Sequence, residues 1–506
     1  MKTFVGRQRE LGALVERLGG PRSFVLLYGQ RRSGKTFLLQ KLLGRDQDCL
    51  FFTADETTAR MSLDRFVHEA VEAGRLDPAL EAAAAADWGS ALTLLLQQSA
   101  LLGRRLVLVL DECQYLLDRE PALASVLQRL WDQHSQRLPL HLILCGSALR
   151  TMASLGDSNQ PLHGRFDLKL HLQPFGYLDT AAFVPRWAAA DRLRLYGVFG
   201  GLARHLAYLD PSQDLAANTC RTILDPLGPL HWAPQDMLRA ERISVPAEAA
   251  AVLAALAQGE NRFNAVASRT GLPAPRLDLV LRELSALDLV QRDLRFGDHE
   301  GSKFVHHRCQ DPFLAFWFRF VRPNGTALEG RTPAAVFQQR VAPQLDQHLG
   351  SVFETVVRQA VLAGALASRL GPIDEVGSFW SRDGQTQVDL VARSGHRLAF
   401  VECKWRADTE VTQAALTQLR EHAQRARLWS ADSLAVIASA GRFSAGLRRL
   451  AGAGEVMLLG LADLLRRPDS EVGGEGGEGG AGGEGAPAPQ ANSVQEVTQR
   501  YRRQSR

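Results

Sequence analysis

"SFVLLYGQRRSGKTFLLQKLL", residues 23–43, decides how this chain is read. An almost unbroken apolar run reaches Gly29, a glycine-bearing turn follows, and a helical pattern begins at Lys35. The turn Gly29–Thr36 fits G-x-x-x-x-G-K-[ST], and a strand before it with a helix after it is the context in which that pattern has a mechanism. Backbone N–H groups of Gly29, Gln30, Arg31, Arg32, Ser33 and Gly34 would cradle phosphates, with the glycines allowing close approach. Lys35 would reach the β- and γ-phosphates and Thr36 would bind Mg²⁺, so ATP and Mg are the implied cofactors. The plain alternative is a chance glycine-rich turn.

Working outward, three further short apolar runs occur: "CLFFTA" (49–54), "LVLVLDE" (106–112) and "LHLILCGS" (140–147). Helical patterns separate them, and buried strands alternating with helices predict a parallel α/β sheet. The run at 106–112 ends in two acids. Asp111 suits the Mg²⁺ shell and Glu112 is placed to polarise an attacking water; two solvated acids capping a strand is the competing reading. Ser147, closing the next run, is either a γ-phosphate sensor or an ordinary turn serine. Arg165 in "PLHGRF" is a candidate transition-state cation, in cis or offered to a neighbouring subunit, or else one surface arginine among many.

A chain of 506 residues has room for roughly three domains. The net charge of +4 is too small to argue for nucleic acid on its own, so any such binding must come from local sites. Only six of the 59 basic residues are lysines, which singles out positions needing a compact ammonium, Lys35 and Lys404 among them. The six cysteines form no C-x-x-C pair, which predicts neither zinc, nor a disulfide, nor a disulfide-linked partner. No apolar signal region opens the chain and no run approaches membrane-span length, so a cytoplasmic protein without a membrane partner is expected.

The alternating pattern covers 1–180 and a helical stretch covers 181–244. Residues 245–325 give three helices, a "GLP" turn before the third, and a strand-rich end, which is helix-turn-helix spacing with a β-wing. There Arg276 and Arg282 could face phosphates, while Leu277, Val280, Leu281 and Leu284 read as core. "DPFLAFWFRFV" (311–321) is apolar almost all round and predicts a buried helix between domains. Residues 340–467 are α/β again. Beyond 468 the Gly/Glu-rich segment lacks the apolar content to fold and reads as a disordered tail.

"VDLVARSGHRLAFVECKW" (388–405) is the second stretch with chemistry. A hairpin with Gly395 and His396 at the turn, glycine first as a type II′ turn prefers, pairs residues whose numbers sum to 791. Asp389 then opposes Glu402, and Lys404 lies on the same face. Val388, Leu390, Ala392, Ala399, Val401 and Cys403 are expected on the other. Two carboxylates about 5 Å apart repel by roughly 3 kcal/mol at an effective dielectric near 20, and a divalent cation reverses that repulsion. Asp389 and Glu402 would hold Mg²⁺, Lys404 would offset charge at a phosphodiester, and Glu354 in "GSVFETVV" would complete the metal set. The alternative is a solvated face with Lys404 paired to Glu402.

Two resemblances accompany these residues. "FVGRQRELGALVERL" (4–18), the loop at 29–36, "LVLDECQYL", "LILCGSALRTM" and "PLHGRF" resemble, in order, the archaeal-type ATPases of the STAND branch of AAA+ proteins. This resemblance implies that the "FVGR" segment lies near adenine, with Ser147 as sensor and Arg165 as a finger-like residue. "GGLARHL" (200–206) lacks the proline of the family pattern, whereas "DPFLAFWFRF" follows it closely. The stretch "VGSFWSRDGQTQVDLVARSGHRLAFVECKW" resembles the C-terminal domain of the same proteins, of the PD-(D/E)XK nuclease superfamily, with Val388 where that signature has proline.

The expected fold class is multidomain α/β: a P-loop parallel-sheet ATPase, a helical lid, a winged helix, and a C-terminal restriction-endonuclease-like α/β domain. The leading functional expectation is an ATP-hydrolysing, Mg²⁺-dependent nuclease acting on nucleic acid, DNA foremost, with Glu112, Arg165, Asp389, Glu402 and Lys404 catalytic and a homo-oligomer possible. The alternatives are an ATP-driven scaffold with an inactive nuclease fold, and a DNA reader working through the winged helix.

Overall fold

The computed structural model describes residues 5–467 apart from 45, 137, 242 and 406–408, and the tail beyond 468 lies outside the described residues. Two compact units divide at Pro174 and Phe175.

The first unit is built on five parallel strands: β1 Ser23–Tyr28, β2 Cys49–Thr53, β3 Leu106–Asp111, β4 Leu140–Gly146 and β5 Leu168–His171, in the order β2-β3-β4-β1-β5. Alternate residues feed two cores. Phe24, Leu26, Leu108, Leu110, Leu142 and Leu144 pack on one face. Val25, Leu27, Val107, Val109, Ile143 and Cys145 pack on the other. Apolar side chains on both faces require helices on both, which is why these strands read as continuous apolar runs. Because all five strands are parallel, their carboxyl ends open on one edge, where an α/β sheet binds its ligand. The edge strand β5 alternates instead of running apolar.

In the second unit one core runs from Phe175 to Leu464. It draws together stretches that the sequence divides into helical, three-helix and C-terminal segments. Helices Pro246–Ala257, Phe263–Thr270 and Ala274–Ala286 bury Val252, Val266, Leu277, Val280, Leu281 and Leu284. They lead into the antiparallel pair β6 Val290–Leu294 and β7 Val305–Cys309. The 311–321 segment is helical and buried at Phe313, Phe316, Trp317, Phe318 and Phe320, as its composition predicts.

The helix Ala342–Leu362 then packs on a five-stranded mixed sheet, β14-β12-β10-β9-β8. Its strands are β8 Glu375–Trp380, β9 Gln387–Ser394, β10 Arg397–Lys404, β12 Leu434–Ser439 and β14 Met457–Leu459. Two-residue strands β11 Glu410–Val411 and β13 Arg442–Phe443 pair separately. The β9–β10 register runs from Ser394–Arg397 to Leu390–Val401 and keeps the sum 791. Gly395 at its turn has φ 57.

Candidate functional sites

At the open edge of the first sheet, the β1–helix turn carries the G-x-x-x-x-G-K-T residues Gly29–Thr36. Gly34 caps the helix Lys35–Leu43 at φ 96, a region glycine enters freely. At Gly29 a Cβ would lie 2.4 Å from the Leu172 carbonyl oxygen, so only glycine fits beside that chain. Lys35 is 4 % exposed, and its Nζ donates to the carbonyl oxygens of Gly29 (2.9 Å) and Gln30 (3.0 Å). Burial pushes its ammonium below the usual lysine range. Those two carbonyls hold the ammonium against its own loop.

Strands β1 and β3 flank β4, so the loop, the acids at the end of β3 and Ser147 after β4 converge. Thr36 Oγ1 donates to Asp111 Oδ2 at 2.8 Å. That places a hydroxyl and a carboxylate oxygen side by side, the donor set Mg²⁺ takes in such a site, so the residues fit the ion. Glu112 follows in left-handed backbone at φ 52, and its N–H donates to Asp111 Oδ1 at 3.0 Å. Its carboxylate accepts from Ser147 Oγ (2.7 Å) and from Gln114 Nε2. Gln114 Oε1 in turn accepts from the Ser147 N–H at 3.3 Å.

Gln114 went unremarked in the sequence, yet it ties the acid of one strand end to the serine of the next. Its signal was present, two residues past Glu112 inside "DECQYL". Arg7 was also missed as a contact: its guanidinium reaches Glu10 (2.9 Å) and the Ser33 carbonyl of the loop (3.4 Å). Arg31 is held by the Tyr115 hydroxyl at 2.7 Å.

Arg165 is not brought to this constellation. Its guanidinium forms a two-pronged pair with Asp132, Nε to Oδ1 at 3.0 Å and Nη2 to Oδ2 at 2.9 Å. The neighbouring Asp167 is bonded to the Phe24 backbone at the start of β1, the end away from the loop. Strand β1 lies between that end and the Gly29–Thr36 loop.

In the second unit the predicted hairpin forms, with one departure. Between Gly377–Val391 and Phe379–Val388 the β8–β9 register slips by one residue of β9, a bulge at Asp389–Leu390. Alternation breaks there, so Val388 joins Val391 and Phe400 in one core, while Leu390, Ala392, Ala399 and Val401 belong to the other. The expectation that Val388 shares their face is corrected. Asp389, released from the ladder, accepts the Cys403 N–H at 2.8 Å. Glu402, 7 % exposed, is ion-paired with Lys404.

Glu354 comes from the helix Ala342–Leu362. Burial and then the charge of Asp389 push its carboxyl well above the usual range. Burial and then Glu402 do the same to Asp389. Helix, β9 and β10 therefore do bring three acids within electrostatic reach. They do not close into a metal cage: among the described residues, no three His, Cys, Asp or Glu side chains are grouped to hold a metal ion. The physical reason is visible in their partners, since Glu402 faces Lys404 and Asp389 caps a backbone N–H.

Arg276 donates to Glu248 (2.6 Å), and Arg282 pairs with Asp278 one turn away (2.7 Å). Neither is presented alone to a phosphate backbone. The β6–β7 ribbon is occupied too. The Phe296 N–H donates to the Ser378 carbonyl of β8 (2.8 Å), Phe296 enters the core of the C-terminal sheet, and His306 stacks on Trp380 at 3.8 Å. All six cysteines are free. No helix among the described residues is long and apolar enough to cross a membrane.

Comparison with known proteins gives two family matches. Residues 4–209 match a family described as an ATPase domain predominantly from Archaea, and residues 317–416 match one described as archaea bacterial proteins of unknown function. An uncharacterised protein of Methanocaldococcus jannaschii is 26% identical over 418 residues, covering 80% of this chain and 88% of the relative. Among solved structures, the Walker-type ATPase of Pyrococcus abyssi is similar over 62% of this chain and 96% of its own, at 19% identity and TM-score 0.44. The ORC2 protein of Aeropyrum pernix covers 65% and 97%, at 14% identity and TM-score 0.42. The chain is a P-loop ATPase, its N-terminal part an ATPase domain of the predominantly archaeal family and its C-terminal part a domain of the family of unknown function.

Proposed function

We propose that ATP turnover in the first unit controls a Mg²⁺-dependent, nuclease-like site in the second that acts on nucleic acid, DNA foremost. The observation that carries the reading is the convergence of Glu354, Asp389 and Glu402 from three separate elements, with Lys404 beside them. A purely structural sheet gains nothing from burying mutually repelling carboxylates at a bulge, whereas a site for a divalent ion and a phosphodiester uses both the acids and the ammonium. Asp389 and Glu402 would hold the ion, and Lys404 would leave Glu402 for the charge developing on phosphorus. The three-helix module with its β6–β7 ribbon is read as a winged helix whose ribbon serves packing. Arg165 is read as a cation offered to a neighbouring copy, which makes a homo-oligomer the working state.

A second reading has its own support. With Lys404 on Glu402 and Asp389 on a backbone N–H, the same sheet suits an ATP-driven scaffold whose nuclease fold binds without cutting. Incubating the full chain and Mg²⁺ with supercoiled plasmid, linear duplex, single strand and RNA separates the two. Strand scission lost in Asp389→Asn supports the enzyme. Retention of nucleic acid with no scission in any metal supports the scaffold.

A further inference from the structure

Within the second unit, a cavity of about 240 Å³ lies between the β6–β7 ribbon, the helix Ala342–Leu362 and strands β8 and β9. That is room for several water molecules and far above an ordinary packing defect. Its lining is polar, and much of it is held rigid. Arg308 donates to Asp293 (2.7 Å), Gln291 (2.9 Å) and Thr355. Arg358 donates to the Val376 carbonyl (3.2 Å) and Ser378 Oγ (3.0 Å). Two guanidinium groups are thus fixed by partners on three different elements before any ligand arrives.

Three arginines, Arg308, Arg319 and Arg358, face two carboxylates, Asp293 and Glu354, which leaves the lining in want of negative charge. One wall carries the Trp380–His306 stack, and the amides of Asn261 and Gln387 complete a set of donors and acceptors.

We infer that this cavity binds a mononucleotide-sized phosphate ester. Guanidinium forks match phosphate oxygens, an aromatic wall suits a base, and side-chain amides read base edges. The volume is of the order of one nucleotide and excludes a duplex, whose two paired strands are far larger. The same chemistry can arrive as a free nucleoside monophosphate or as the terminal nucleotide of a single strand. The inference stands apart from cleavage, sharing only Glu354 with the carboxylate cluster.

The test is isothermal titration of the full chain with its P-loop filled by a non-hydrolysable ATP analogue. The probes are each of the four nucleoside monophosphates, inorganic phosphate, a nucleoside, and a 5′-phosphorylated trinucleotide. One further site is expected, filled by at least one monophosphate about tenfold or more tightly than by nucleoside or inorganic phosphate, and weakened about tenfold in Arg358→Gln and in Asn261→Ala. The ligand-free melting temperature of each variant reports folding, and Asn261→Ala carries the test if Arg358→Gln does not fold. Tighter binding of the trinucleotide than of its monophosphate assigns the site to strand ends, and the reverse order to free nucleotides. Absence of heat beyond the P-loop site, or binding unchanged in Asn261→Ala, overturns the inference.

Discussion

Removing the ammonium beside Glu402 should make the C-terminal sheet sensitive to alkali, and Lys404→Met tests this. Glu402 is 7 % exposed and Lys404 29 %. Breaking a buried pair by deleting one partner costs about 3–5 kcal/mol, and the partial exposure of the lysine reduces this to roughly 2–3 kcal/mol. The cost is bounded by protonation of Asp389: burial and then the charge of Glu402 already push its carboxyl up to about 7, Lys404 opposes that rise, and with the ammonium gone each pH unit through which Asp389 keeps its proton counts about 1.4 kcal/mol.

The sign follows from the direction of the shift. A carboxyl whose folded value is raised keeps its stability below the unfolded value and loses it as pH rises through the folded one. The penalty should therefore be about 1 kcal/mol or less at pH 5 and about 2–3 kcal/mol at pH 7. In calorimetry of the full chain, the transition of the second unit should fall by about 4–6 °C at pH 7 and by about 2 °C or less at pH 5. Adding Glu402→Gln should recover at least half of the loss. An equal shift at both pH values, or no recovery in the double variant, refutes the electrostatic account of this pair.

Other consequences are more direct. Lys35→Ala should lower ATP turnover by about a hundredfold or more, measured as phosphate release, while the melting profile is unchanged. Gly29→Ala forces a Cβ onto the Leu172 carbonyl, so it should destabilise the first unit by about 1–3 kcal/mol in denaturant titration and weaken ATP binding with it. His348 is held neutral by burial, with its pKa pushed down to about 4. A depressed histidine contributes stability above its unfolded value near 6.5, and that contribution is lost as pH falls toward 4. The advantage of the native chain over His348→Gln, read as the difference in melting temperature of the second unit, should therefore shrink as pH falls from 6.5 toward 4.

The first unit was largely legible because strands buried on both faces leave no choice of residue. The runs ending at Tyr28, Thr53, Asp111 and Gly146 are apolar apart from Ser23, Thr53, Asp111 and His141, and each stops within a residue or so of the expected place. Edge strand β5 escaped notice because one side lacks a neighbour, and "LKLH" alternates like many loops. The 791 register could be read from the turn alone, since a two-residue turn fixes every pair beyond it. The bulge at Asp389 could not. It depends on how β8 meets β9, a non-local match that leaves no mark in the periodicity of either strand. The same holds for Phe296, whose place in a distant core is invisible from the ribbon that carries it, and for the partners that tie down Arg165, Arg276 and Arg282.

The central claim is that nucleotide state governs the carboxylate site. Cleavage of a labelled nucleic acid by the full chain should be followed with Mg²⁺ in the presence of ATP, a non-hydrolysable analogue, ADP, or no nucleotide, beside Lys35→Ala and Asp389→Asn. The account predicts a cleavage rate that differs between nucleotide states, loses that difference in Lys35→Ala, and vanishes in Asp389→Asn. Cleavage identical in all four conditions, or surviving Asp389→Asn, contradicts it.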